Sequence, residues 1–127
     1  MTTSVDQQIL LNHPVLDEEV IASLRDIMDD DFIDLIQTFL GDSDLRMQSL
    51  REAAASREAE TIRKAAHSFK GSSGNIGARR LSELCRQLEE LMSAGKPADM
   101  DAFLEELERQ HQELVALLRP MAEAAPG

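Results

Sequence analysis

The sequence contains neither tryptophan nor tyrosine, and its only aromatic residues are four phenylalanines in 127 positions. Sheets favour aromatic residues, whereas the apolar content here comes from Leu, Ile, Ala, Val and Met, a composition typical of helix bundles. The lack of tryptophan and tyrosine also removes the usual platforms on which nucleic-acid bases stack. The composition therefore favours a helical fold and disfavours a protein that reads bases.

Basic residues are scarce as well. The chain has 13 lysines and arginines against 24 aspartates and glutamates, which gives a formal net charge of −11. Broad contact with a phosphate backbone needs a basic surface. We therefore expect no nucleic-acid partner.

Cysteine and long apolar runs are nearly absent. With Cys85 as the one cysteine, neither an intrachain disulfide nor a multi-cysteine metal site can form, and a reducing compartment is the simpler setting. No apolar run has the length needed to cross a bilayer, and residues 1–16 lack the features of a signal peptide. We therefore expect a cytoplasmic protein without membrane contact.

Apolar residues at three- and four-residue spacing, by contrast, are abundant, and they predict five helices and no strand. Asp17 suits an N-cap at the start of the first helix, and Gly77 suits a left-handed cap at the end of the third. The helices are expected from about Asp17 to Met28, Phe32 to Ala55, Glu58 to Gly77, just after Gly77 to Gly95, and Ala98 to Met121.

Four long amphipathic helices joined by short turns predict an all-α fold. The expected arrangement is an antiparallel up-down-up-down four-helix bundle, with the short first helix covering one end. We expect an N-terminal extension over residues 1–16, the bundle over residues 17–123 and a flexible tail over residues 124–127. The predicted buried faces are Val20, Leu24, Ile27 and Met28 on the first helix, Phe32, Ile36, Phe39, Ser43, Met47 and Leu50 on the second, and Ile62, Ala66, Phe69, Ser73 and Ile76 on the third.

The third predicted helix carries an unusual stretch around His67. At about 100° per residue, His67 points away from the apolar face, Gly71 and Gly74 share its side, and Lys70 lies at the edge. Glycine in a helix interior costs about 1 kcal/mol relative to alanine. Two glycines beside an exposed histidine therefore indicate that another protein approaches the imidazole closely.

The chemistry of imidazole suits a carrier of phosphoryl groups. An unperturbed histidine has a pKa of about 6.5, so it is a competent nucleophile near neutral pH. A phosphoryl group on the outer ring nitrogen would bring negative charge, which Lys70 could meet with a charge-assisted hydrogen bond. Between residues 57 and 86, basic residues outnumber acidic ones by seven to three. This excess predicts a ring of basic side chains around the histidine, here called the basic collar.

The residues His67, Lys70, Gly71, Ser72 and Ser73, continued by Ile76, Gly77 and Ala78, resemble the signature of the histidine-containing phosphotransfer (Hpt) domain of bacterial phosphorelays. The resemblance covers most of residues 17–120. It implies that His67 accepts a phosphoryl group from the aspartate of one receiver domain and passes it to another. It also places Glu89 where the family commonly has a polar residue that hydrogen-bonds the imidazole. The residues expected to dock the partner or orient the histidine are Arg63, Lys64, Ser68, Gly71, Gly74 and Glu89.

The implied partners are receiver domains of hybrid sensor histidine kinases and of a response regulator. The chain would act as a monomeric phosphocarrier with no metal or cofactor of its own, because the receiver supplies magnesium. No glycine-rich nucleotide motif accompanies His67, so we expect no autokinase activity.

Two other functions remain open on the residues alone. A helical adaptor would bind receiver domains without carrying phosphate. A metal-binding bundle enzyme would use Glu108 and His111, but such sites need a second pair of this kind, which the sequence lacks. We expect His111 to be a hydrogen-bonded residue at the core boundary, Ser43 to bond back to a carbonyl one turn earlier, and Cys85 to be buried and unreactive.

Overall fold

This computed structural model describes residues 2–123, which contain six α-helices. Local signals set their ends. The carboxylate of Asp17 accepts the backbone N–H groups of Glu19 and Val20, and Gly77 adopts a left-handed φ of 85°, as predicted. The helices are α1 (Gln7–Asn12), α2 (Glu18–Met28), α3 (Phe32–Ser56), α4 (Ala59–Ile76), α5 (Arg79–Ser93) and α6 (Met100–Ala122), with a 3-10 turn over Asp29–Asp31. The predicted tail, residues 124–127, lies outside the described residues.

Helices α3 to α6 form the predicted antiparallel four-helix bundle. Each packs against its two neighbours in chain order, and α6 closes the ring against α3. The apolar stripes predicted for α3 and α4 are buried in full, and Phe69 and Phe103 have no exposed surface. Full burial of one such side chain stabilises the fold by about 1.5–3 kcal/mol. No helix among the described residues is long and apolar enough to span a membrane.

Helix α2 covers the end of the bundle where α4 turns into α5, as predicted. The backbone N–H of Asp17 donates to the carbonyl of Gly77 at 2.8 Å. The prediction that Ile27 is buried is wrong, because its side chain is 77% exposed. The inward line of α2 instead follows Ile21, Leu24 and Met28, and Ile27 lies about 120° away from Ile21 around the helix axis.

The N-terminal extension contains a helix that the sequence pattern did not predict. It begins beside the α5–α6 turn, where Thr3 exchanges backbone hydrogen bonds with Pro97 and Asp99. The side-chain amide of Gln87 on α5 then accepts a hydrogen bond from the backbone N–H of Asp6 and donates one to the carbonyl of Ser4. Helix α1 also packs on α5. The buried residues of the extension are Val5, Ile9 and Leu16. The extension is thus packed against α5 and the α5–α6 turn.

Candidate functional site

His67 lies on the outer face of α4, because the residues on the opposite face of that helix are buried in the core. Its side chain is 63% exposed. A Cβ added at Gly71 would meet nothing within 4 Å, and one added at Gly74 would be in ordinary contact with Ser82 at 3.5 Å. Packing within residues 2–123 therefore requires neither glycine. They leave open space on the face of α4 that carries His67.

Glu89, on α5, joins His67 and Lys70 of α4. One carboxylate oxygen, Oε2, is hydrogen-bonded to Nδ1 of His67, and the other, Oε1, accepts from the Lys70 ammonium at 2.7 Å. The Glu89 side chain is only 14% exposed. The Lys70 ammonium, and to a smaller extent the imidazole, hold the pKa of Glu89 below its usual range against the opposing effect of burial.

This hydrogen bond fixes which ring nitrogen is free. A carboxylate has acceptors only, so Nδ1 of His67 must be the donor and carry a proton. In the neutral ring the lone pair is then on Nε2, at the opposite side of the ring from Glu89. The arrangement leaves Nε2 as the nucleophilic nitrogen of an exposed ring.

A polar cluster on the α3 side of His67 was not predicted. The guanidinium of Arg46 donates to the hydroxyl of Ser68, the residue after His67. Arg46 also pairs with Asp42 at 2.6 Å, and Ser72 donates to Asp42 at 3.3 Å. The spacing of Asp42 and Arg46 indicates a helical ion pair, but their contact with α4 depends on the register between two helices, which the sequence does not show.

The predicted basic collar is largely neutralised by neighbouring carboxylates. Arg63 pairs with Glu60 at 2.8 Å, and Lys70 pairs with Glu89. Arg79, Arg80 and Arg86 also have carboxylate partners. Of the seven basic residues, only Arg57 and Lys64 have no ion pair within residues 2–123. Lys64, one turn before His67, is therefore the free cation of this collar that lies nearest to it in the sequence.

His111 is a core-boundary residue, as predicted. It is 8% exposed, and its Nε2 lies 2.9 Å from the hydroxyl of Ser43, which itself donates to the carbonyl of Leu40. Burial lowers the pKa of His111. Glu108 does not join it, because that carboxylate pairs with Arg51. No group of three or more potential metal ligands lies together in the described part of the chain.

Cys85 is fully buried, as predicted, and burial raises the pKa of its thiol far above the usual value. A cavity of about 1000 Å³ opens where α5 turns into α6, but His67 does not line it. The candidate site thus lies on the exposed surface of α4 outside this cavity, which suits a macromolecular partner better than a small molecule.

Comparison with known proteins agrees with this geometry. A sequence model of the Hpt domain matches residues 34–119, from the start of α3 almost to the end of α6. The chain belongs to the Hpt domain family. A crystal structure of histidine-containing phosphotransfer protein B (HptB) from Pseudomonas aeruginosa PAO1 is similar, with 36% sequence identity and a TM-score of 0.84. The similarity covers 89% of this chain and 98% of that chain. No curated protein matches.

The Hpt match contains His67, Lys70, Gly71 and Glu89, so the whole cluster on α4 and α5 lies inside the family domain. Helices α1 and α2 precede the matched residues. They pack against the Hpt domain without contributing to the cluster around His67.

Proposed function

We propose that this Hpt-domain protein carries a phosphoryl group on Nε2 of His67 between the aspartates of receiver domains. The observation that supports the proposal is the exposed imidazole whose Nδ1 is held by Glu89, so that Nε2 is the free ring nitrogen. Gly71 and Gly74 leave the same face of α4 open. Membership of the Hpt family supports phosphotransfer, and the geometry supports His67 as the residue that performs it.

The reaction balances with the groups present. The Nε2 lone pair attacks the phosphorus of an aspartyl phosphate on the partner, an N–P bond forms, and the P–O bond breaks to release the aspartate carboxylate. Because Nδ1 keeps its proton, the ring becomes cationic as the N–P bond forms. The Glu89 carboxylate then faces a positive ring, which strengthens their hydrogen bond. Transfer to a second receiver reverses these steps.

Most of the catalytic machinery would belong to the receiver. We expect it to supply the magnesium ion, while this chain supplies the nucleophile and holds it in place. We also expect no autokinase activity and action as a monomer in the cytoplasm, where the partners would be hybrid sensor kinases and a response regulator. Docking over α4 would use the open surface at Gly71 and Gly74 and the free ammonium of Lys64, with Arg63 and Ser68 at its edges.

Transfer of radiolabel from a phosphorylated receiver tests the proposal. With magnesium present, wild-type protein should acquire a base-stable, acid-labile label. His67→Gln should acquire none, whereas His13→Gln, in the segment between α1 and α2, should be labelled normally. Label on His67→Gln equal to that on wild type would contradict the assignment. Signalling that survives His67→Ala would favour the adaptor function instead.

A further inference from the structure

Lys70 and His67 lie one turn apart on α4, yet their contact runs through a third side chain. The Lys70 ammonium is 2.7 Å from Oε1 of Glu89, and Nδ1 of His67 is bonded to Oε2 of the same carboxylate. Each oxygen therefore serves a different partner. The Lys70 ammonium is bound on the Nδ1 side of the imidazole, whereas a phosphoryl group would occupy Nε2.

Moving the Lys70 ammonium away from Glu89, toward a phosphoryl group on Nε2, would break this ion pair. Glu89 is only 14% exposed, so water is poorly placed to replace the lost ammonium. Removing one partner of a poorly solvated carboxylate is costly. The paired state of Lys70 is thus the favoured one in the absence of a partner protein.

We propose that Lys70 is a positioning residue, which anchors the Glu89 carboxylate so that Glu89 holds the His67 ring with Nε2 outward. The inference rests on the proposed role of His67 as the phosphoryl carrier. A carboxylate held by a single hydrogen bond can rotate about its side-chain torsions. A second partner on the other oxygen fixes it, and the imidazole is then oriented before the receiver arrives.

A double-mutant cycle between Lys70 and Glu89 separates this role from a direct one. The variant Glu89→Gln has a single amide oxygen in place of the carboxylate, so it cannot offer separate oxygens to the imidazole and to Lys70. In the wild-type background, Lys70→Met should lower the rate of label uptake at saturating phosphorylated receiver about tenfold. A loss of this size corresponds to the free energy of about one hydrogen bond to a charged group. In the Glu89→Gln background, the same change should lower the rate by less than about twofold.

Equal losses in the two backgrounds would overturn the proposal, because they would mean that Lys70 acts on the phosphoryl group or on the receiver. A rise in the receiver concentration at half-maximal rate, with the maximal rate unchanged, would overturn it too, since docking alone would then be affected. Lys96→Met, which removes the same charge beyond the end of α5, is the matched control and should leave both quantities unchanged.

The nitrogen NMR signals of the His67 ring give a second readout without phosphate. Wild type should show the proton on Nδ1, and Lys70→Met should shift the ring toward a mixture of the two tautomers. An unchanged spectrum in Lys70→Met would contradict an anchoring role. Loss of label in His67→Gln together with equal Lys70 effects in the two backgrounds would refute only this inference, whereas normal labelling of His67→Gln would refute the phosphocarrier assignment itself.

Discussion

Replacing Gly71 by alanine should stabilise the protein, although the residue lies at the centre of the proposed site. An added Cβ would meet nothing within 4 Å, and the position is in the interior of α4. Alanine is favoured over glycine there by about 1 kcal/mol. An unfolding entropy of about 2.1 cal/mol/K per residue gives about 0.27 kcal/mol/K for this chain, so Tm should rise by about 4 °C.

Thermal unfolding followed by circular dichroism measures this gain, and two other glycines provide controls. Gly41→Ala, in α3, also faces open space and should stabilise by a similar amount. Gly77→Ala should lower Tm, because φ is 85° and the new Cβ would lie 2.9 Å from Cβ of Val20. A fall in Tm for Gly71→Ala would contradict the conclusion that no contact in the described part of the chain requires this glycine.

A longer side chain at the same position should affect function instead. Gly71→Gln should fold stably but slow phosphotransfer from a receiver by about tenfold or more, because the amide would occupy the approach to Nε2 of His67. The matched control is Ala116→Gln on the exposed surface of α6, the helix diagonally across the bundle. Transfer at the wild-type rate in Gly71→Gln would show that clearance beside the imidazole is unnecessary.

Two further predictions concern a buried and an exposed side chain. Stability should decrease as pH falls below about 6.5, because burial lowers the pKa of His111 and the unfolded chain then binds the proton more readily. Urea unfolding at about pH 7.5 and about pH 5.5 should show this, and His111→Gln should reduce the difference; an equal difference in the variant would contradict it. Lys64→Gln should weaken receiver binding in a calorimetric titration, with a smaller effect at high salt. An unchanged Kd at low salt would exclude Lys64 from the docking surface.

Much of the fold could be predicted because the long helices repeat the same pattern over many turns. In α3 and α4 every predicted inward residue is buried, including the polar Ser43 and Ser73. Over several turns, the spacing of apolar residues identifies the inward face even where one position is polar. The helix ends at Asp17 and Gly77 were predictable because few residue types can accept the N-terminal N–H groups or adopt a left-handed backbone.

Short elements were harder to predict. Helix α1 has six residues, too few for a periodic pattern to emerge, although Asp6 provides an N-cap signal by accepting the backbone N–H of Gln8. Helix α2 was predicted, but Ile27 was assigned to the wrong face. Contact with the bundle end involves one narrow line of α2, and three turns do not distinguish that line from its neighbour.

The site residues on α4 could be predicted from the sequence, but their contacts with other helices could not. His67, Gly71 and Gly74 follow from the phase of one helix. The bridge from Glu89 to Lys70, the pairing of the basic collar and the contact of Arg46 with Ser68 all depend on how helices pack side by side. Charges that look free in the sequence are neutralised by carboxylates from neighbouring turns and helices, so composition alone overstated the positive charge around His67.

Locating the phosphoryl group on the modified protein tests the central assignment most directly. After transfer from a phosphorylated receiver, NMR of the nitrogen-labelled protein should show phosphorus coupled to Nε2 of His67 and a proton retained on Nδ1. Phosphorus on Nδ1, on another residue, or on no residue of this chain would contradict the account.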